Sequence, residues 1–149
     1  MLTEELKTQL KKLNSRKLYY INIQCPNQNF SDLKIATSED INADPKTKFT
    51  EEELKEMFEN YTKSIKEDEY YFSLYDFRVN NRNVTMSVII MLTLIPDKSD
   101  SPFDKVFYSR HSMEAGIEFK AQKAITINDK KDLNYENIQQ IVKNFKHFY

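Results

Sequence analysis

The stretch "YSRHSMEAG", Tyr108 to Gly116, gathers side chains able to relay a proton. His111, one of two histidines, stands among Ser109, Ser112 and Glu114, and the chain's single glycine closes the run. Cys25 is the only thiol. A cysteine brought to a histidine by folding would be a minimal nucleophile and base. Neither residue has the company such chemistry needs. A free cysteine packs as a small buried hydrophobe, and a lone histidine without a metal partner or nucleophile is ordinarily structural. The reading is therefore a turn between two alternating runs, with Gly116 supplying a positive φ.

A second constellation is "IPD" at 95–97 with "EFK" at 118–120. It resembles the PD-(D/E)xK nuclease pattern, which implies that Asp97 and Glu118 hold Mg²⁺ while Lys120 positions the attacking water. Acid-x-lysine recurs elsewhere, at Glu5/Lys7, Asp44/Lys46, Glu53/Lys55 and Asp129/Lys131 among others, so the match is unspecific. A metal-dependent nuclease is the alternative reading. Zinc is disfavoured, because Cys25, His111 and His147 lie far apart in sequence.

Glycine poverty excludes more. Phosphate-cradling loops need glycine so that backbone N–H groups can reach the ligand. With Gly116 alone there is neither a P-loop nor a dinucleotide fingerprint, and no cofactor is expected. "LYYINI" at 18–23 resembles the first strand of an RNA-recognition motif, but the partner motif of that fold also requires glycine. A net charge of −1 gives no pull toward nucleic acid or an anionic membrane.

Charge is uneven along the chain. Residues 50–69 carry eight carboxylates against Lys55, Lys63 and Lys66. Glu52, Glu56 and Glu59 share one helix face, and Glu67, Asp68 and Glu69 follow. Either this is a solvated face complementing the helix dipole, or it is a docking surface for a protein with a basic surface. The Glu52–Glu56 repulsion at i, i+4 favours the second.

The elements that must position these residues follow from capping and period. Thr3 caps a helix over 3–14. "KLYYINIQC" (17–25) and "LKIAT" (33–37) read as strands. "FTEEEL" is a capping box, Thr50 with Glu53, and Phe49 and Leu54 are spaced as its hydrophobic staple. A helix over 50–66 follows, with Leu54, Met57, Phe58, Tyr61 and Ile65 as its stripe. Residues 70–95 read as a hairpin turning at "NNRN" (80–83), with Val79 facing Val84, Phe77 facing Met86 and Tyr75 facing Val88. One face is apolar throughout; the other, with Asp76 and Arg78, is expected to be wet near the turn. Residues 105–109 and 116–128 read as strands, with a helix over 112–124 as rival for the latter. Asn134 caps a last helix whose face is Ile138, Ile141, Val142, Phe145 and Phe148, with Leu133 as staple.

The expectation is one α+β domain over 1–149, order α-β-β-α-β-β-β-β-α. Its antiparallel sheet of about four to six strands has helices mainly on one face. A lone cysteine, an acidic amphipathic start unlike a secretory leader, and no apolar run near the ~20 residues of a membrane span point to the cytoplasm. Lysine-, asparagine- and isoleucine-rich composition suggests an AT-rich genome. The functional reading is a non-catalytic protein-binding module, an anti-defence or immunity-type inhibitor from a phage or mobile element. It would dock by its acidic face on a nucleic-acid-handling or toxin enzyme.

Overall fold

The computed structural model describes residues 2–41, 47–81, 84–97, 99 and 101–144. The hairpin tip at 82–83, the Asp44/Lys46 pair, His147, Phe145 and Phe148 lie outside the described residues.

The chain runs α1 (Glu4–Asn14), β1 (Leu18–Gln24), β2 (Lys34–Asp40), α2 (Glu51–Thr62), β3 (Tyr71–Asn81), β4 (Val84–Leu94), α3 (Pro102–Glu118), β5 (Lys123–Ile127) and α4 (Tyr135–Lys143). Five strands form one sheet in the order β2-β1-β3-β4-β5. The α+β class and the strand number are as the sequence predicts. Pairing is antiparallel except for β4 with β5, which is parallel. A parallel neighbour requires a crossover, and α3 is that crossover.

Residues 105–109 are therefore not a strand but part of α3, and of the run 116–128 only 123–127 is strand. The helical rival was correct for 112–118. Helices also cover both faces of the sheet rather than mainly one. Leu54, Phe58 and Tyr61 of α2 and Ile138 and Val142 of α4 pack on Tyr71, Tyr75, Phe77, Ile90 and Leu92. Leu6, Leu10 and Leu13 of α1 and Phe107, Tyr108 and Ala115 of α3 pack on Phe72, Leu74, Ile89 and Met91. Alternate residues of β3 and β4 thus feed two cores, as period two demands.

The β3–β4 register differs from the expected one by two residues: Val79 opposes Met86, Phe77 opposes Val88 and Tyr75 opposes Ile90. An even shift leaves every side chain on its predicted face, so the hydrophobic pattern could not detect it. The polar corner near the turn is not wet. Asp76 and Arg78 are buried, 3.4 Å apart, and Arg78 Nη2 donates to the Arg16 carbonyl where α1 ends. Burial pushes the Asp76 carboxyl up, against the pull of Arg78.

The caps behave as read. Thr3 accepts from the Leu6 N–H, Thr50 and Glu53 form the reciprocal box, and Asn134 accepts from Asn137. Gly116 is not a turn residue. It lies inside α3, and no glycine has positive φ; that conformation falls instead on Arg16, Gln28 and Lys120. Lys120 closes α3 in a Schellman motif: its N–H donates to Ile117 O, and the Ala121 N–H donates to Gly116 O.

A Cβ on Gly116 would meet Met91 Cε at 3.7 Å and Ala124 Cβ at 3.8 Å, ordinary contact distances. Gly116→Ala and Lys120→Gly should each raise unfolding free energy by about 0.5–1 kcal/mol, the first by helix propensity, the second by relieving the left-handed penalty. Urea denaturation reads both; a loss of stability in either variant contradicts the account of how α3 ends.

Candidate functional site: the outward face of α3

α3 buries Phe107, Tyr108, Ala115 and Gly116. Ser112 Oγ and the fully buried Thr93 Oγ1, 2.8 Å apart, tie the middle of the helix to β4. Its opposite face is also apolar. Phe103, Val106, Met113 and Ile117 are 78%, 60%, 77% and 73% exposed, and they are the exposed large hydrophobics among the described residues. At 3.6 residues per turn they lie within about 80° of one another, with exposed Arg110 in their midst. A helix apolar on both sides is a helix meant to be covered on both sides. Aromatic, Met and Arg side chains are the types enriched where proteins meet.

The run Tyr108–Gly116 is therefore a helical stretch, and its polar residues are committed locally. His111 Nδ1 lies 3.0 Å from Glu114 Oε2, and the ring stacks on Phe30 at 5.5 Å and tilts against Phe107 at 4.6 Å. Cys25 is buried, as expected of it. Burial pushes its thiol up, and Sγ donates to Asn29 O at 2.6 Å. Thiol and imidazole thus have separate partners.

The metal constellation does not assemble. Asp97 N–H donates to Asn128 O beyond one end of the β4–β5 ladder. Glu118 and Lys120 lie at the other, just before Gln122, which exchanges hydrogen bonds with Ile89. The whole β4–β5 ladder, from Ile90 with Lys123 to Leu94 with Ile127, lies between those levels, a separation of about 20 Å. Among the described residues no group of three or more His, Cys, Asp or Glu could hold a metal ion.

The acidic residues do not share one face: α2 packs on the side of the sheet opposite α3, whereas Asp68 and Glu69 line a hollow together with Cys25 and with Asp104 and Tyr108 of α3. Glu52, Glu56 and Glu59 are exposed on α2, and Glu67 and Asp68 are exposed just after it. Glu69 accepts from Tyr71 OH at 2.8 Å; burial first and Glu69 second push that phenol up to about 12. Neighbouring carboxylates have structural duties: Glu51 accepts from Tyr135 OH and Gln139, and Lys55 pairs with Glu136 at 2.7 Å.

Helices thus cover both faces of the sheet, and one of them, α3, is apolar outward as well as inward. The chain belongs to the family of cofilin/tropomyosin-type actin-binding proteins, whose pattern matches residues 1–143. Solved structures agree in fold. Actin depolymerization factor 2 of Plasmodium berghei superposes with a TM-score of 0.74 at 17% identity, covering 96% of this chain and 95% of that one. An ADF-like protein of Caenorhabditis elegans gives 0.70 at 14% identity, covering 99% and 97%. Streptomyces griseoflavus cofilin gives 0.69 at 16% identity, covering 94% of each. No curated protein matches the sequence significantly.

Membership overturns two expectations, the phage or mobile-element inhibitor and the metal-dependent nuclease. It agrees with two others: the family is protein-binding, and it is not catalytic. Among the described residues no helix is long and apolar enough to cross a membrane.

Exposed and buried faces of α3 should separate in stability. Met113→Glu should leave unfolding free energy within about 0.5 kcal/mol of the parent. Phe107→Ala, 6% exposed and packed on Phe72, should cost about 3 kcal/mol or more. Equal losses in a denaturant titration would mean the outward face is already covered within the chain.

Proposed function

We propose that the chain binds actin, and that it does so through Phe103, Val106, Arg110, Met113 and Ile117 of α3. The observation that carries this is the concentration of exposed large apolar side chains on one face of one helix in a family of actin-binding proteins. Such a helix buys little for its own fold by keeping Phe and Met in water. Set into a groove on the partner, the same side chains release ordered water, and Arg110 between them meets a carbonyl or carboxylate. A cytoplasmic location accompanies that partner and suits a chain whose one cysteine is a buried free thiol.

The acidic stripe of α2 faces the other way, so an actin molecule seated on α3 leaves Glu52, Glu56 and Glu59 open to a second, basic surface. Reversing all three charges in the same binding assay tests this: weaker binding supports a second contact, and unchanged binding assigns the stripe to solvation.

Titration of labelled monomeric actin and co-sedimentation with filaments provide the two arms of the main test. Paired substitution Met113→Asp and Ile117→Asp should weaken binding at least about tenfold, the loss expected from two anchors at about 1 kcal/mol or more each. Failure of the parent protein to bind in either arm, or an affinity indifferent to the pair, sinks the proposal.

A further inference from the structure

The two ends of α3 are secured differently. Its C-terminal end is locked by the Schellman turn and by Gln122, whose side chain accepts from the Ile89 N–H at 2.8 Å while its own N–H donates to Ile89 O at 2.7 Å. Its N-terminal end has no such lock. Ser101, at the N-cap, makes no side-chain capping hydrogen bond, and Phe103 and Val106 of the first turns point into solvent. That end is held by Tyr70, whose OH donates to Ser101 O at 3.4 Å and whose ring stacks on Tyr108 at 5.4 Å, and is gripped from outside the sheet by the β1–β2 loop.

The grip covers two helical turns. At the base of the loop the Cys25 N–H donates to Tyr108 OH at 2.9 Å. At its tip Gln28, held at φ 49°, donates from Nε2 to Asp104 Oδ1 at 2.7 Å, while Ser101 Oγ donates to Asp104 Oδ2 at 2.6 Å. Where the loop turns back, the Phe30 ring stacks on His111 and meets the edge of buried Phe72 at 6.5 Å. Asp104, Tyr108 and His111 are i, i+4 and i+7, one stripe of the helix. That stripe is on the flank turned away from Phe103, Val106, Met113 and Ile117, so a partner on the apolar face does not replace these contacts.

We propose that residues 25–30 form a strap that fixes the pose of the N-terminal half of α3, with Gln28 and Phe30 as positioning residues for docking. The inference rests on α3 being the docking face. A docked helix must present Phe103 and Met113 in one fixed orientation. A frayed or rotated first half pays that ordering at the moment of binding, which lowers affinity without removing any contact. The strap supplies the order beforehand. The left-handed backbone at Gln28 is the conformation a non-glycine residue adopts only when its surroundings impose it.

The test is a polarity swap in the full chain. Gln28→Glu sets a carboxylate against Asp104, and is expected to weaken actin binding about fivefold and to speed amide hydrogen exchange over residues 104–111. Adding Asp104→Asn turns the hydrogen bond round, because the new amide at 104 donates to the new carboxylate at 28, and should restore both readouts to within about twofold. Phe30→Ala should repeat the first pattern, while Asn27→Ala, exposed beside it, should change neither. Exchange that ignores Gln28→Glu, or a double variant no better than the single one, overturns the strap. Exchange that responds while affinity does not overturns its role in docking. The exchange measurement needs no partner, so a parent protein that fails to bind actin refutes the functional reading alone and leaves the strap to be judged by exchange.

Discussion

Phe72 is the point on which the exposed helix rests. Fully buried in β3, its ring meets Tyr108 at 4.7 Å, Phe107 and Phe119 at 6.4 Å, and Phe30 at 6.5 Å. Each such aromatic pair contributes about 0.5–1.5 kcal/mol beyond its buried area. Three of the four partners are spread over α3 and its C-cap, and the fourth is the β1–β2 loop. One side chain of the central strand therefore sets the seat of α3 and of the segment that braces it. The outward stripe inherits its position from this inward cluster.

That arrangement resolves a conflict between folding and recognition. A helix that crosses back over a sheet to start a parallel strand needs one apolar face. α3 carries two, and the second stands in solvent. Exposed Phe and Met at the start and middle of a helix invite rotation toward the core, where they would be buried. Competing roll is opposed by the Thr93–Ser112 hydrogen bond and by the left-handed turn at Lys120. Polar and geometric constraints thus choose between two apolar faces that hydrophobicity alone could not rank.

The same fact explains what was legible in the sequence. α1, α2 and α4 have a single apolar stripe and a capping side chain, and both signals agree, so their positions follow from Thr3, Thr50 and Asn134. α3 has Phe103, Val106, Met113 and Ile117 opposite Phe107, Tyr108 and Ala115, which cancels its period and lets the segment pass for strands around a glycine turn. The Pro102 start was visible, since proline suits the first helical turn, but it reads equally as loop. The outward apolar residues were missed with the helix that carries them. Arg78 was misjudged for another reason: no local pattern says that the end of α1 will bring the Arg16 carbonyl to its guanidinium, or that the segment before α2 will bring the Phe49 ring to 5.4 Å.

Glycine poverty has a structural consequence as well. Turns that end helices ask for positive φ, and a chain whose one glycine is spent inside α3 must fill them otherwise. Arg16 ends α1 and Lys120 ends α3 in the left-handed region, at a cost of about 1–2 kcal/mol each. Both are compensated in place. Around Arg16 the Lys17 N–H donates to Lys12 O and Arg78 takes the Arg16 carbonyl; after Lys120 the chain passes directly into the Gln122–Ile89 pair. Gln28, the third such residue, ends no helix. Its side chain donates both to Pro26 O within the loop and to Asp104 on α3, so the strained backbone of the loop is tied directly to the first turn of the helix.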